Sequence, residues 1–247
     1  MRKTVIITGA SRGIGAECAK LLAKQGYNVA INYCNSKTEA EKVKNEICQN
    51  GGNAEIFCAD VSNYDAVKSM IQDVMRRFGN IDLLVCNAGV AHSGLLIDTT
   101  EEDFDRLINI NLKGVFNAVK CVLPTFLSKS KGNIICISSV WGQTGASCEV
   151  IYSATKSAII GFSKALAKEV AEKGININCV SPGSVTSSRQ HDDIDFVEHE
   201  GFAFGATYSK KSGSQRDNAN LICFLASDEA SYIMGQNIQI DGCRKTI

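Results

Sequence analysis

Seven short, apolar, largely β-branched runs recur along the chain: TVIIT (4–8), NVAIN (28–32), AEIFC (54–58), DLLVC (82–86), NIICIS (133–138), INCVS (177–181) and NIQID (237–241). Between them lie longer stretches of helical period, at 13–25, 37–49, 63–78, 101–128, 151–173 and 216–226. Runs with so little charge suit strands covered on both faces. Parallel strands need a crossover between them, and a helix is the usual one. The pattern therefore predicts an α/β chain with a doubly wound, parallel, seven-stranded sheet and helices on both faces, the Rossmann arrangement. Only two prolines occur, Pro124 and Pro182, and no linker-like stretch interrupts the alternation, so residues 1–247 read as a single domain.

The segment from about 184 to 220 fits the alternation least. It is polar, and its place after a strand predicts a surface excursion, a variable lid over a site. It carries HDDIDFVEHE (191–200), two histidines among five acids, which reads as a solvated face and not as a metal site, because no further ligand cluster accompanies it. Phe196, Phe202 and Phe204 can form the apolar underside of that lid.

Charge and cysteine usage exclude several classes of function. Twenty-six basic residues face twenty-six acidic ones with no basic stripe, against nucleic acid or an anionic membrane as partner. The apolar run at the N-terminus breaks at Gly9, short of a signal peptide, and nothing approaches a membrane span of roughly 20 residues, so a cytoplasmic location is expected. Eleven scattered cysteines show no C-x-x-C pair, and several, such as Cys58, Cys136 and Cys179, sit in apolar runs. They read as reduced core residues, with no metal among them.

The first strand runs directly into TGASRGIG (8–15), where Gly9, Gly13 and Gly15 open a helix. Glycines permit a tight turn and close approach to a ligand, and a helix N-terminus offers free N–H groups to a pyrophosphate. Dinucleotide sites that take NAD place an acid at the end of the second strand for the ribose 2′-hydroxyl. Here Tyr33 and Cys34 stand at that place, followed by Asn35, Ser36 and Lys37, while Arg12 can bind a 2′-phosphate. NADP(H) is the expected cofactor.

In ISSVWGQTGASCEVIYSATK (137–156), Tyr152 and Lys156 are spaced to share a helix face, downstream of Ser138 and Ser139. Together with TGASRGIG, CADV, CNAG, NINLKG, ISSV and SPG, in that order, the chain resembles the short-chain dehydrogenase/reductases over essentially its whole length. Within them it is most similar to the 3-oxoacyl-acyl-carrier-protein reductases of fatty acid biosynthesis. The resemblance implies an NADP-dependent oxidoreductase that reduces a ketone to a secondary alcohol, commonly a homotetramer or homodimer. It implies a catalytic tetrad of Asn111, Ser139, Tyr152 and Lys156, with Ser139 favoured over Ser138 because 13 residues separate it from Tyr152. Cofactor contacts are implied at Gly9, Ser11, Arg12, Gly13, Ile14, Gly15, Tyr33 and Cys34. Others fall at Asp60 and Val61, at Asn87, Ala88 and Gly89, at Tyr152 and Lys156, and at Pro182, Gly183 and Val185.

The expected roles follow from side-chain chemistry placed in that family. Tyr152 donates the proton, Lys156 lowers the phenol's pKa and binds the nicotinamide ribose, Ser139 orients the substrate oxygen, and Asn111 anchors a proton-relaying water. The chain departs from the family after the SPG motif: Ser187 and Arg189 replace a threonine and a methionine, and DGC (241–243) replaces N-G-G. Those changes leave open a reading of another class, a catalytically silent nucleotide-binding regulator. The stretch WGQTGASCEV is similar to a subgroup that reduces a 5-aminopentanone group on a lysine of elongation factor P, where Glu149 can pair with the substrate amine.

Overall fold

The structure, a computed structural model, describes residues 2–185, 207–209 and 213–243. Seven strands form one sheet in the order β3-β2-β1-β4-β5-β6-β7, and every neighbouring pair is parallel. The strands are β1 (Thr4–Ile7), β2 (Asn28–Tyr33), β3 (Asn53–Cys58), β4 (Leu83–Cys86), β5 (Gly132–Ile137), β6 (Ile175–Pro182) and β7 (Asn237–Ile240). The helices are α1 (Gly13–Lys24), α2 (Lys37–Gln49), α3 (Tyr64–Phe78), α4 (Glu101–Leu107), α5 (Gly114–Lys129), α6 (Trp141–Thr144), α7 (Val150–Val170) and α8 (Gln215–Leu225). The fold is the one expected from the alternation of runs.

Strand alternation divides the core in two. Val5, Ile7, Val29, Ile31, Leu83 and Val85 point to one face, where they pack with Cys18 and Leu22 of α1 and Ile222 and Leu225 of α8. Ile6, Ala30, Leu84, Ile134 and Ile177 point to the other, against Val67 and Val74 of α3, Val119 and Phe126 of α5, and Ile159 of α7. The five strands between the edges β3 and β7 thus bury both sets of side chains, which explains why their runs are apolar at consecutive positions.

Two expectations change. The single helix expected at 101–128 is two helices joined by a π-turn at Ile108–Lys113, which turns the buried Asn111 toward the end of β4. The cysteines, read as core residues, divide: Cys58 is exposed because it ends the edge strand β3 where no further strand covers it, Cys34, Cys48 and Cys243 are exposed too, and Cys18, Cys86, Cys136, Cys179 and Cys223 are buried. Most of the segment expected to be a lid, including HDDIDFVEHE, Phe196, Phe202, Phe204, Ser187 and Arg189, lies outside the described residues. Of its described parts, Val185 bridges Gly213, and Tyr208 N–H donates to the Cys243 carbonyl at 2.9 Å.

Candidate active site

The strand order reverses between β1 and β4, and a crevice at such a switch point is where open α/β sheets bind ligands. The loops after these two strands are tied together. Asn87 Nδ2 donates to the Thr8 and Gly9 carbonyls, each at 3.0 Å, and the Asn87 and Ala88 N–H groups donate to Thr8 Oγ1. The Asn87 amide nitrogen is thus spent within the protein.

Gly9 is pressed against this loop: a Cβ there would lie 2.8 Å from Ala88 Cα, at a φ of +63°. Gly13 has the same φ, but nothing lies within 4 Å of where its Cβ would project. Its open side adjoins the N-terminus of α1, whose first turn holds no acid and whose N-cap, Arg12, supplies no side-chain capping bond. A helix start of this kind can take a phosphate, so the cradle fits the pyrophosphate of a dinucleotide. Ser11 and Gly15 are buried in the turn, Ile14 is half-buried, and Arg12 is exposed.

At the far end of the crevice Cys34 and Asp60 are exposed, and Asp60 accepts from both the N–H and the hydroxyl of Ser62. Tyr33 is buried. Val61 is fixed by Asn117, whose Nδ2 donates to its carbonyl at 2.8 Å. Beyond β5, Pro182, Gly183 and Val185 continue from β6, with the Gly183 N–H donating to the Ile240 carbonyl at 2.9 Å.

The two adjacent serines have different fates. Ser138 Oγ donates to the Lys156 carbonyl at 2.7 Å and pins α7 to the end of β5. Ser139 Oγ accepts from the Trp141 N–H at 3.2 Å and acts on the Tyr152 phenol, lowering its pKa. Lys156 is buried; its Nζ donates to the Ile137 carbonyl at 2.9 Å and stands 5.6 Å from the centre of the Tyr152 ring. A Cβ on Gly89 would lie 3.3 Å from Asn111 Oδ1 and 3.5 Å from Lys156 Nζ, so the β4 loop meets both groups.

The side chain of Asn111 is fully occupied. Its Oδ1 accepts from the Val90 N–H at 2.8 Å, and its Nδ2 donates to the Val90 carbonyl at 2.9 Å and to Thr155 Oγ1 at 3.2 Å. Any bond from Asn111 to a relay water therefore falls to its backbone, beside the π-turn.

The electrostatics correct one expectation. Burial pushes the Tyr152 phenol up to about 12, with Ser139 pulling it down and Glu149 adding to the rise. Lys156 is not among the groups that lower it; its ammonium donates to the Ile137 carbonyl and stands 5.6 Å from the ring centre. Burial also brings the Lys156 ammonium down to about 8, opposed by the Cys179 and Cys136 thiols. Reduction needs both groups protonated, and the lower of the two sets the alkaline limit. The kcat/KM for ketone reduction is expected to fall as pH rises through about 8, since this parameter reports free-enzyme groups. A profile flat beyond pH 10 would remove Lys156 from this role.

Sequence reasoning passed over Asn32. This buried residue accepts from the Gly9 N–H at 3.1 Å and donates to the Ala59 carbonyl at 3.0 Å, holding the glycine loop to the end of β3. Its signal was a polar amide at the end of an apolar strand run. Asn117 gave no comparable signal. Among the described residues no group of three or more His, Cys, Asp or Glu side chains can hold a metal, and no helix is long and apolar enough to cross a membrane.

Comparison with known proteins places this geometry in context. Residues 3–196 match the profile of the family described as short chain dehydrogenase. The chain is 42% identical over 242 residues, covering 98% of each chain, to the 3-oxoacyl-[acyl-carrier-protein] reductase FabG of Staphylococcus epidermidis. To the 3-oxoacyl-[acyl-carrier-protein] reductase of Synechocystis sp. it is 39% identical over 241 residues, 97% of this chain and 96% of the relative. Among solved structures, a short chain dehydrogenase from Burkholderia cenocepacia in complex with NADP superposes with a TM-score of 0.89 at 32% identity, over 98% of this chain and 97% of the other.

Proposed function

The chain belongs to the short-chain dehydrogenase/reductase family, and from this premise we propose that it is an NADPH-dependent reductase of 3-oxoacyl thioesters carried on acyl carrier protein. That it is an oxidoreductase follows from the family. The observation that carries the finer reading is the buried Lys156 ammonium, held by the Ile137 carbonyl 5.6 Å from the centre of the Tyr152 ring, with Ser139 acting on the phenol beside the switch-point crevice.

The glycine loop, Arg12 and the backbone of Asn87–Gly89 hold the dinucleotide, which when bound supplies a hydride. Ser139 then donates a hydrogen bond to the ketone oxygen and holds it beside the Tyr152 phenol. The phenol stays protonated to about pH 12, so it delivers its proton to the developing alkoxide in an environment shielded from water. The buried Lys156 ammonium, held by the Ile137 carbonyl beside the Tyr152 ring, is the group that would bind the nicotinamide ribose.

The preference for NADPH rests on the end of β2, where Cys34, Asn35, Ser36 and Lys37 bring no carboxylate and the α2 N-cap, Ser36, makes no side-chain capping bond. The NADP complex of the Burkholderia relative supports it. An acyl substrate suits Leu95, Leu96 and Ile97, exposed apolar residues on the loop that Gly94 N–H anchors to the Cys148 carbonyl at 2.8 Å. Exposed Phe104, Phe116, Leu127 and Val150 fit burial against further copies in a homotetramer or homodimer.

A second reading is favoured by Glu149. Half-buried at the N-cap of α7, it makes no capping bond and has no cationic partner among the described salt bridges, yet it acts electrostatically on Tyr152. A carboxylate so placed suits a ketone bearing a primary amine, such as the 5-aminopentanone modification of elongation factor P. The deciding experiment follows NADPH oxidation with acetoacetyl thioester and with a 5-amino-2-pentanone side chain on the factor. The first reading expects turnover of the thioester, at least about tenfold better with NADPH than NADH, and unchanged in Glu149→Gln. Turnover of the aminoketone alone, with KM raised by Glu149→Gln, selects the second. NADH used as well as NADPH overturns the cofactor assignment.

A further inference from the structure

Thr155 sits inside the YSATK stretch, completely buried, and none of the roles described so far uses it. Its Oγ1 donates to the Tyr152 carbonyl at 2.7 Å and accepts from Asn111 Nδ2 at 3.2 Å. Asn111 in turn pairs with both the N–H and the carbonyl of Val90, and Gly89, one residue earlier, packs beside Lys156 Nζ. One hydroxyl therefore joins three separate segments: the start of α7, the π-turn and the loop after β4. A valine has the same shape and lacks this bond, whereas a serine keeps it.

We infer that Thr155 is a positioning residue for the reaction, fixing the Asn111 amide so that the Gly89–Val90 backbone stays in register with Tyr152 and Lys156. The physical reason is the reciprocal pairing. An amide that bonds both polar groups of Val90 can hold that residue only if its own plane is fixed, and Thr155 supplies the third bond that fixes it. Without it, Asn111 Nδ2 loses a buried partner and the amide can rock about its bonds to Val90.

The inference rests on Tyr152 and Lys156 being the reacting pair, and the test separates the two. Three variants are compared, Thr155→Val, Thr155→Ser and Tyr152→Phe, in NADPH-dependent reduction of acetoacetyl thioester and in amide hydrogen exchange of the ligand-free protein. Thr155→Val is expected to lower kcat about tenfold with KM within about twofold. Exchange in a peptide spanning residues 87–94 should quicken about tenfold, since Val90 N–H loses its rigid acceptor. Thr155→Ser should restore both. In an Asn111→Ala background Thr155→Val should cost nothing further, as it acts through that amide.

Unchanged kcat and exchange in Thr155→Val would overturn the inference, and so would faster exchange with unchanged kcat. A serine variant as impaired as the valine variant would assign the effect to methyl packing and overturn it too. If Tyr152→Phe itself keeps full activity, the assignment of the reacting pair is what fails, whatever Thr155 does.

Discussion

Tyr152→Phe is expected to lower kcat by about 10³-fold while leaving NADPH affinity within about twofold. The change removes one oxygen from a half-buried ring that otherwise keeps its packing, so stability should hold to within about 1 kcal/mol. The expected loss is large because no other group near the ketone position can give up a proton at the right moment. Ser139 has a far higher pKa as an acid, and the Lys156 ammonium is turned to the Ile137 carbonyl. Steady-state reduction of acetoacetyl thioester and a fluorescence titration with NADPH check the two halves separately. Loss of activity with retained binding identifies a catalyst. A variant that kept every biological effect of the chain would instead favour a nucleotide-binding regulator, for which the phenol is irrelevant.

Gly9→Val is expected to weaken NADPH binding by 10²-fold or more and to lower the melting temperature by roughly 5–15 °C. Two costs combine at this position. The backbone has a φ of +63°, a region closed to β-branched residues, and a Cβ would meet Ala88 Cα at 2.8 Å. The atom in the way is backbone, held by the bonds of Asn87 and Ala88 to Thr8, so it cannot swing aside. Gly13 provides the control. It has the same φ but open space around it, so Gly13→Ala should cost only about 1 kcal/mol of strain. If the two variants proved equally mild, the close packing of the glycine loop on the β4 loop would not be what shapes the crevice. Thermal melts and NADPH titrations of both variants decide it.

The Gly9 case also shows how far the sequence could be read. The triplet Gly9, Gly13 and Gly15 marks a phosphate loop by its place between a strand and a helix. Nothing in the letters says that Gly9 is needed against Ala88 while Gly13 borders open space. The difference arises from a residue 79 positions away in the chain, brought there by the β1–β4 pairing. Asn32 is similar: its amide looked like an ordinary strand-end polar group, and only the register of β2 against β3 shows it spanning from Gly9 to Ala59.

The catalytic stretch divides in the same way. Spacing put Tyr152 and Lys156 on one helix face, and the family resemblance favoured Ser139. Neither could say that Ser138 is consumed by the Lys156 carbonyl, or that burial would push the phenol up to about 12 with no lowering from the lysine. Pairwise reasoning from neighbouring letters counts the charge and omits the desolvation, which depends on every element packed around the ring.

What the sequence by itself determined is the periodic part: seven apolar runs, the helices between them, the glycine loop and the order of the motifs. These are local, because strand and helix periodicity and turn chemistry act over a few residues. What only the tertiary structure decided is which side chain faces which. The closure of Asn111 onto Val90 and Thr155 and the turning of Lys156 toward Ile137 join residues 19 or more positions apart. Such contacts are fixed by sheet order and burial, and neither is written in any short stretch of the chain.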